Sequence, residues 1–224
     1  GFMQINPLPT AEENTLFYQQ GLQEKNFRPI DIEKTRSRSS YDTYRRFGWL
    51  EDVRKNGSVL DVGCGYGFFV EQAALWGYEA TGIDINLSRL LTEHKKGKFL
   101  ESSIETVKEQ YDVLTAFHFL EHVLDPISFV QECKKRARIL MIEVPNHSDI
   151  LMDECPAYRA FRWQRAHISY FTEETFTRVL RLAGLEKFTV KTIQRYGVGN
   201  VLHWLQEGQP QRENIDWCGH ELPG

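Results

Sequence analysis

The stretch Ser58-Val-Leu-Asp-Val-Gly-Cys-Gly-Tyr-Gly-Phe-Phe-Val70 decides how the rest of the chain is read. Val59, Leu60 and Val62 form a short apolar run of the kind that fills a buried strand. Gly63, Gly65 and Gly67 then alternate through a turn, and a helical pattern opens at Phe68. A turn without Cβ atoms lets a ligand lie directly against its backbone. The helix start aims unpaired N–H groups and a partial positive charge at the same spot, which suits a carboxylate or a phosphate. Asp61 falls at the carboxyl end of the strand, where open parallel sheets place their ligands.

A second acid extends the pattern. Glu79-Ala-Thr-Gly-Ile-Asp84 is another short strand that ends in a carboxylate. Asp84 lies about twenty residues beyond the glycine turn, the separation at which such folds hold a ribose hydroxyl pair. A nucleotide-type ligand follows from these two anchors. The dinucleotide form G-x-G-x-x-G would need a small residue where Phe68 stands, which counts against an NAD-dependent oxidoreductase.

The turn reads D-x-G-x-G-x-G, which resembles motif I of the class I S-adenosylmethionine (SAM)-dependent methyltransferases. Further segments are similar to the same superfamily, in the same order. Tyr111 to Pro126, with its Leu120-Glu-His-Val form, resembles the fourth strand and its turn, and Ala137 to Asn146 resembles the fifth strand. His167-Ile-Ser-Tyr-Phe-Thr172 is similar to a segment of the small-molecule branch that includes ubiquinone-type and sugar methyltransferases. The resemblance covers roughly residues 40 to 190, and an ordered set of motifs is far more specific than one glycine loop.

Composition sets the limits. The 224 residues favour one domain with additions, and 41% hydrophobic content suits an ordinary core. A net charge of −4 argues against a general nucleic-acid binder, which needs a basic surface. No apolar run approaches a membrane span, and no secretory signal pattern opens the chain. Cys64, Cys133, Cys155 and Cys218 are scattered without metal-binding spacing, so a reducing cytoplasm is the expected setting. No carboxylate cluster points to a divalent metal.

The expected fold is α/β: a doubly wound, mostly parallel, Rossmann-like sheet of the seven-stranded type, its last edge strand left open. Residues 1–50 read as an N-terminal helical extension or lid, 51–196 as the cofactor-binding core, and 197–224 as a tail. Thr10 with Glu13 marks a capping box for a helix from Ala11 to about Gln23. Arg36, Arg38, Arg45 and Arg46 beside Tyr41 and Tyr44 read either as a lid over the cofactor or as the solvated face of a helix. A helix is expected from Asn86 to about His94 and another after Thr172, with a strand over Phe188–Ile193. Asn200–Leu205 is a poor candidate for the final strand.

The resemblance implies SAM as cofactor. Asp61, Gly63, Cys64, Gly65 and Gly67 would hold its methionine portion and Asp84 with Ile85 its ribose. Ser103 stands where the family usually has an Asp facing the adenine, and Ile104 would pack on the ring. Phe117 and His118 would sit beside the methyl donor. A hydroxyl acceptor needs a base near the reaction pH, where histidine is the natural choice. His118, His122, His147 and His167 are the candidates, each with a purely structural role as its alternative. Tyr158, Arg159, Phe161, Arg162 and Trp163, in an insertion near residues 150–170, would line an acceptor or meet a second copy in a homodimer. Methyl transfer to a small-molecule hydroxyl is the resulting expectation, with sugars of glycan biosynthesis ahead of quinone-like acceptors. A non-catalytic SAM-binding scaffold is the competing class.

Overall fold

The computed structural model describes residues 2–19, 32–91, 93–94, 96–194 and 197–211. In chain order the elements are β1 (Met3–Gln4), α1 (Ala11–Gln19), α2 (Ile32–Val53), β2 (Ser58–Val62), α3 (Phe68–Leu75), β3 (Glu79–Asp84), β4 (Lys98–Glu101) and β5 (Tyr111–Phe117). They continue with α4 (Pro126–Arg136), β6 (Ala137–Glu143), α5 (Ile150–Glu154), α6 (Pro156–Arg162), β7 (Ser169–Tyr170), α7 (Glu173–Leu182) and α8 (Val198–Glu207). The chain forms two compact units: Pro7–Val144, and a smaller one joining the first six residues to those from Pro145 onward. The boundary between the units falls just after β6. Helix α2 belongs inside the larger unit, where it packs on α3.

The larger unit holds a five-stranded parallel sheet in the order β4-β3-β2-β5-β6. Crossovers run outward in both directions from β2, so the sheet is doubly wound and its switch point lies between β2 and β5. Val59, Leu60, Val113 and Leu114 are at most 1% exposed. Burying each such side chain stabilises the fold by about 1.5–3 kcal/mol. Helix α3 begins where Gly67 takes φ 82°, and Gly77 with φ 95° ends the turn after it. Two sequence signatures appear as hydrogen bonds. Thr10 and Glu13 bond reciprocally at the start of α1, and Thr172 caps α7 through Thr175 N–H.

In the smaller unit β1 pairs antiparallel with β7, and Trp204 of α8 packs among Leu151, Met152, Cys155 and Tyr158. Among the described residues no helix is long and apolar enough to cross a membrane.

Three expectations are corrected. Among the described residues the sheet has five strands where the seven-stranded type was expected. Phe188–Ile193 joins no ladder, and the segment spanning Asn200–Leu205 is helix α8. The helix expected from Asn86 shrinks to a single 3₁₀ turn, Leu87–Arg89, closed by Leu90 in extended geometry. His94 is drawn instead to the Tyr66 carbonyl at 2.6 Å and to Glu71 at 3.0 Å, tertiary bonds that override local propensity. Residues expected to extend α1 past Gln19 lie outside the described residues.

Candidate functional site

The carboxyl ends of β2, β3 and β5 gather the groups singled out in the sequence. Asp61 and Thr115 are paired across β2 and β5, and Thr115 Oγ1 donates to Asp61 Oδ1 at 2.6 Å. Asp61 is 5% exposed. Burial pushes its carboxyl up to about 7, against the pull of the Thr115 bond and the Arg46 charge.

The three glycines of the turn do different work. All take positive φ. A Cβ on Gly63 would strike the ring of Phe119, and one on Gly67 would meet His94, Leu90 and Phe99 within 2.9 Å. These two are required by packing as well as by backbone conformation. A Cβ on Gly65 would meet nothing within 4 Å, so Gly65 alone fronts open space. Its N–H donates to Asp84 Oδ2 at 3.2 Å, and Asn86 N–H donates to Asp84 Oδ1 at 3.1 Å. Burial raises the Asp84 pKa, opposed by these N–H bonds and by Arg89.

Other predicted cofactor residues are placed less directly. The Cys64 side chain turns inward onto Gly82, where a Cβ would lie 2.8 Å from its own, so Cys64 offers only backbone to a ligand. Burial pushes its thiol far above the usual range. Ile85 is half-buried beside Asp84. Ser103 opens the 3₁₀ turn Ile104–Thr106, while Ile104, 3% exposed, belongs to the core. The Phe117 ring lies between Phe69 and the Arg46 guanidinium, whose carbon is 4.6 Å from the ring centroid.

His118 is the one non-glycine among the described residues with positive φ, at 53°. Such conformations are uncommon outside glycine and recur at functional sites. Its N–H donates to the Glu143 carbonyl at 2.9 Å, and its Nε2 and Nδ1 lie 3.0 Å from Glu143 and 3.5 Å from Glu121. Desolvation opposes a charge on the ring, but the bonds to Glu121 and Glu143 prevail and raise it to about 9. With 43% of the side chain exposed, solvent screens part of that pairing. The raised pKa favours the protonated ring, which acts as a hydrogen-bond donor to the two carboxylates.

The arginines of α2 are already engaged. Arg45 and Arg46 both bond Glu143, at 3.0 Å and 2.7 Å, and Arg45 also bonds Asp42. Arg36 reaches Glu71 at 3.0 Å and lies over Phe68. Tyr41 and Tyr44 point to solvent, at 58% and 61% exposure. The inward arginines thus hold α2 to the sheet. No local pattern in the sequence singled out Glu143, the acid they share.

Sequence reasoning also missed Tyr18. Helix α1 delivers its hydroxyl to within 2.8 Å of His122 Nδ1, and His122 Nε2 lies 3.9 Å from Glu121, a buried acid. Burial, with the charges of Glu121 and Asp84, keeps the phenol protonated by raising its pKa well past the ordinary value.

His147 and His167 lie in the smaller unit, on either side of Tyr170, with ring centroids 4.9 Å and 5.9 Å from it. Burial and the Arg162 charge lower the His147 pKa. Tyr158 bonds Asp149 and Arg159 bonds the Met152 and Asp153 carbonyls; Phe161 and Trp163 are each 54% exposed.

A family model described as "Methyltransferase domain" matches residues 33–190. Among curated proteins, the chain is 38% identical over 109 residues to a ubiquinone biosynthesis O-methyltransferase of Bordetella parapertussis, covering 42% of this chain and 44% of that one. It is 40% identical over 88 residues to the protein of the same name from Vibrio cholerae, covering 34% and 36%. The matched region thus spans less than half the length of these relatives. Two solved structures share the fold. Magnesium protoporphyrin IX methyltransferase of Synechocystis is 18% identical with TM-score 0.57, over 76% of this chain and 87% of that one. The 1,6-didemethyltoxoflavin-N1-methyltransferase of Burkholderia thailandensis is 16% identical with TM-score 0.58, over 81% and 83%. At such identity the likeness concerns fold alone.

Proposed function

The chain belongs to the methyltransferase-domain family, and from that premise we propose that it transfers a methyl group from SAM to a hydroxyl of a small-molecule acceptor. The observation that carries the reading is Gly65. It fronts open space at the switch point, with buried Asp61 and half-buried Asp84 on neighbouring strands. That arrangement fits an amino-acid end lying against the turn and a ribose at Asp84. When bound, SAM supplies an activated methyl carbon on a sulfonium. The protein's task is to align the acceptor and exclude water.

An aromatic hydroxyl stands ahead of a sugar, which reverses the order expected from the sequence. The support is that the curated relatives described above are named as O-methyltransferases of ubiquinone biosynthesis. A reducing cytoplasm, the setting expected from the scattered cysteines, belongs to the same reading.

Calorimetric titration with S-adenosylhomocysteine tests the reading, with NAD in parallel and Asp84→Ala as the control. Micromolar binding of the first ligand, lost in the variant, is the expected result. Binding of NAD alone would overturn it, and failure of every hydroxyl acceptor despite tight binding would favour a non-catalytic scaffold.

A further inference from the structure

Helix α1 ties the loop after β3 to the loop after β5, one on each side of the glycine turn. The Tyr18 carbonyl accepts from Asn86 Nδ2 at 3.0 Å, and Asn86 N–H is itself bonded to Asp84. On the other side the Tyr18 hydroxyl meets His122 Nδ1 at 2.8 Å, with the rings edge-on at 85°. His122 Nε2 faces the Glu121 carboxylate, whose side chain is 2% exposed. Tyr18 and His122 thus form a hydrogen-bonded phenol–imidazole pair, the core of a nucleophile-activating chain, with the Glu121 charge 3.9 Å from the far ring nitrogen.

We propose that Tyr18 is a catalytic residue, the outer member of a Tyr18–His122 proton relay, set beside the Glu121 charge, that accepts the proton of the acceptor hydroxyl. This rests on the methyltransferase reading above. In the relay the Tyr18 hydroxyl donates to His122 Nδ1, which fixes the neutral ring with its own proton on Nε2, toward Glu121. As the acceptor oxygen bonds the methyl carbon and the carbon–sulfur bond breaks, the acceptor proton moves to Tyr18 Oη. The Tyr18 proton moves to His122 Nδ1 in the same step. The sulfonium charge thus disappears as an imidazolium charge forms beside Glu121, and the balance is kept. Tyr18 stays a neutral phenol before and after, as its burial beside Glu121 and Asp84 favours.

The test combines a readout independent of turnover with one that depends on it. Long-range proton–nitrogen NMR of histidine-labelled free protein should place the His122 proton on Nε2, and Tyr18→Phe should shift the Nδ1 resonance toward an unbonded nitrogen. A proton on Nδ1, or no response to Tyr18→Phe, overturns the relay. With SAM and catechol, Tyr18→Phe should lower kcat about 100-fold while KM and S-adenosylhomocysteine affinity stay within about threefold. With 4-nitrocatechol, whose hydroxyl ionises far more readily, the loss should be under about threefold. Equal losses on both acceptors would make Tyr18 structural and overturn the proposal. Failure of S-adenosylhomocysteine to bind would sink the methyltransferase reading instead and leave the NMR result to judge the relay.

Discussion

His118 and Glu143 are joined twice. The His118 N–H donates to the Glu143 carbonyl at 2.9 Å, and its ring Nε2 lies 3.0 Å from the Glu143 carboxylate. The same carboxylate receives Arg45 and Arg46 from α2. One acid thus holds a helix to the sheet and a left-handed histidine to the end of β5.

Glu143→Gln should therefore destabilise the fold strongly for a single isosteric change. Three cationic groups lose their shared partner in a region where Arg45 and Arg46 side chains are only 14% exposed. Removing one member of a buried ionic network costs about 3–5 kcal/mol. Denaturant unfolding at neutral pH measures it, and a loss below about 1 kcal/mol would mean the network contributes no more than a surface pair.

The pH dependence of His118 has a definite sign. Its folded pKa, about 9, lies above the usual 6.5. The stability it adds is fully present below the unfolded value and is lost as pH rises through about 9. Unfolding midpoints of the wild type and His118→Gln should therefore differ most near pH 6 and converge near pH 10. A gap that widens with pH would mean the ring is held neutral.

Much of this was legible in the sequence because it is local. The buried strand at Val59, the glycine turn and the caps at Thr10 and Thr172 are each decided by residues within a few positions of one another. The turn at Asn86–Leu90 was not legible. Its apolar spacing suits a helix, yet distant bonds from His94 to Tyr66 and Glu71 pull the chain away. Tyr18 and His122 are 104 positions apart, and no local pattern announces such a meeting. Glu143 likewise looks like an ordinary strand residue until α2 folds onto it.

The glycines of the turn should separate stability from binding. Gly63→Ala places a methyl group into the Phe119 ring and strains a φ of 73°, so it should cost about 2–4 kcal/mol of stability. Gly65→Ala meets no neighbour and should cost only about 1–2 kcal/mol for its backbone. Its methyl group would project into the space assigned to the cofactor, so S-adenosylhomocysteine affinity should fall at least about tenfold, or about 1.4 kcal/mol. Unchanged affinity in a folded Gly65→Ala protein would move the ligand away from the turn.

Asp61 makes the last prediction, a proton released on binding. Its folded pKa is raised from 3.8 to about 7, so the stability linked to its protonation is full below the unfolded value and lost as pH rises through about 7. Near pH 6 the buried carboxyl is largely protonated in the free protein. An ammonium group settling beside it favours the carboxylate, so the proton must leave. Titration with S-adenosylhomocysteine near pH 6, in buffers of different ionisation enthalpy, should show release approaching one proton, falling away above about pH 8. Asp61→Asn should abolish the release and weaken binding about 10- to 100-fold, the loss of one charge-assisted bond. Identical binding enthalpies in all buffers would place the ammonium elsewhere and leave Asp61 as a partner of Thr115 alone.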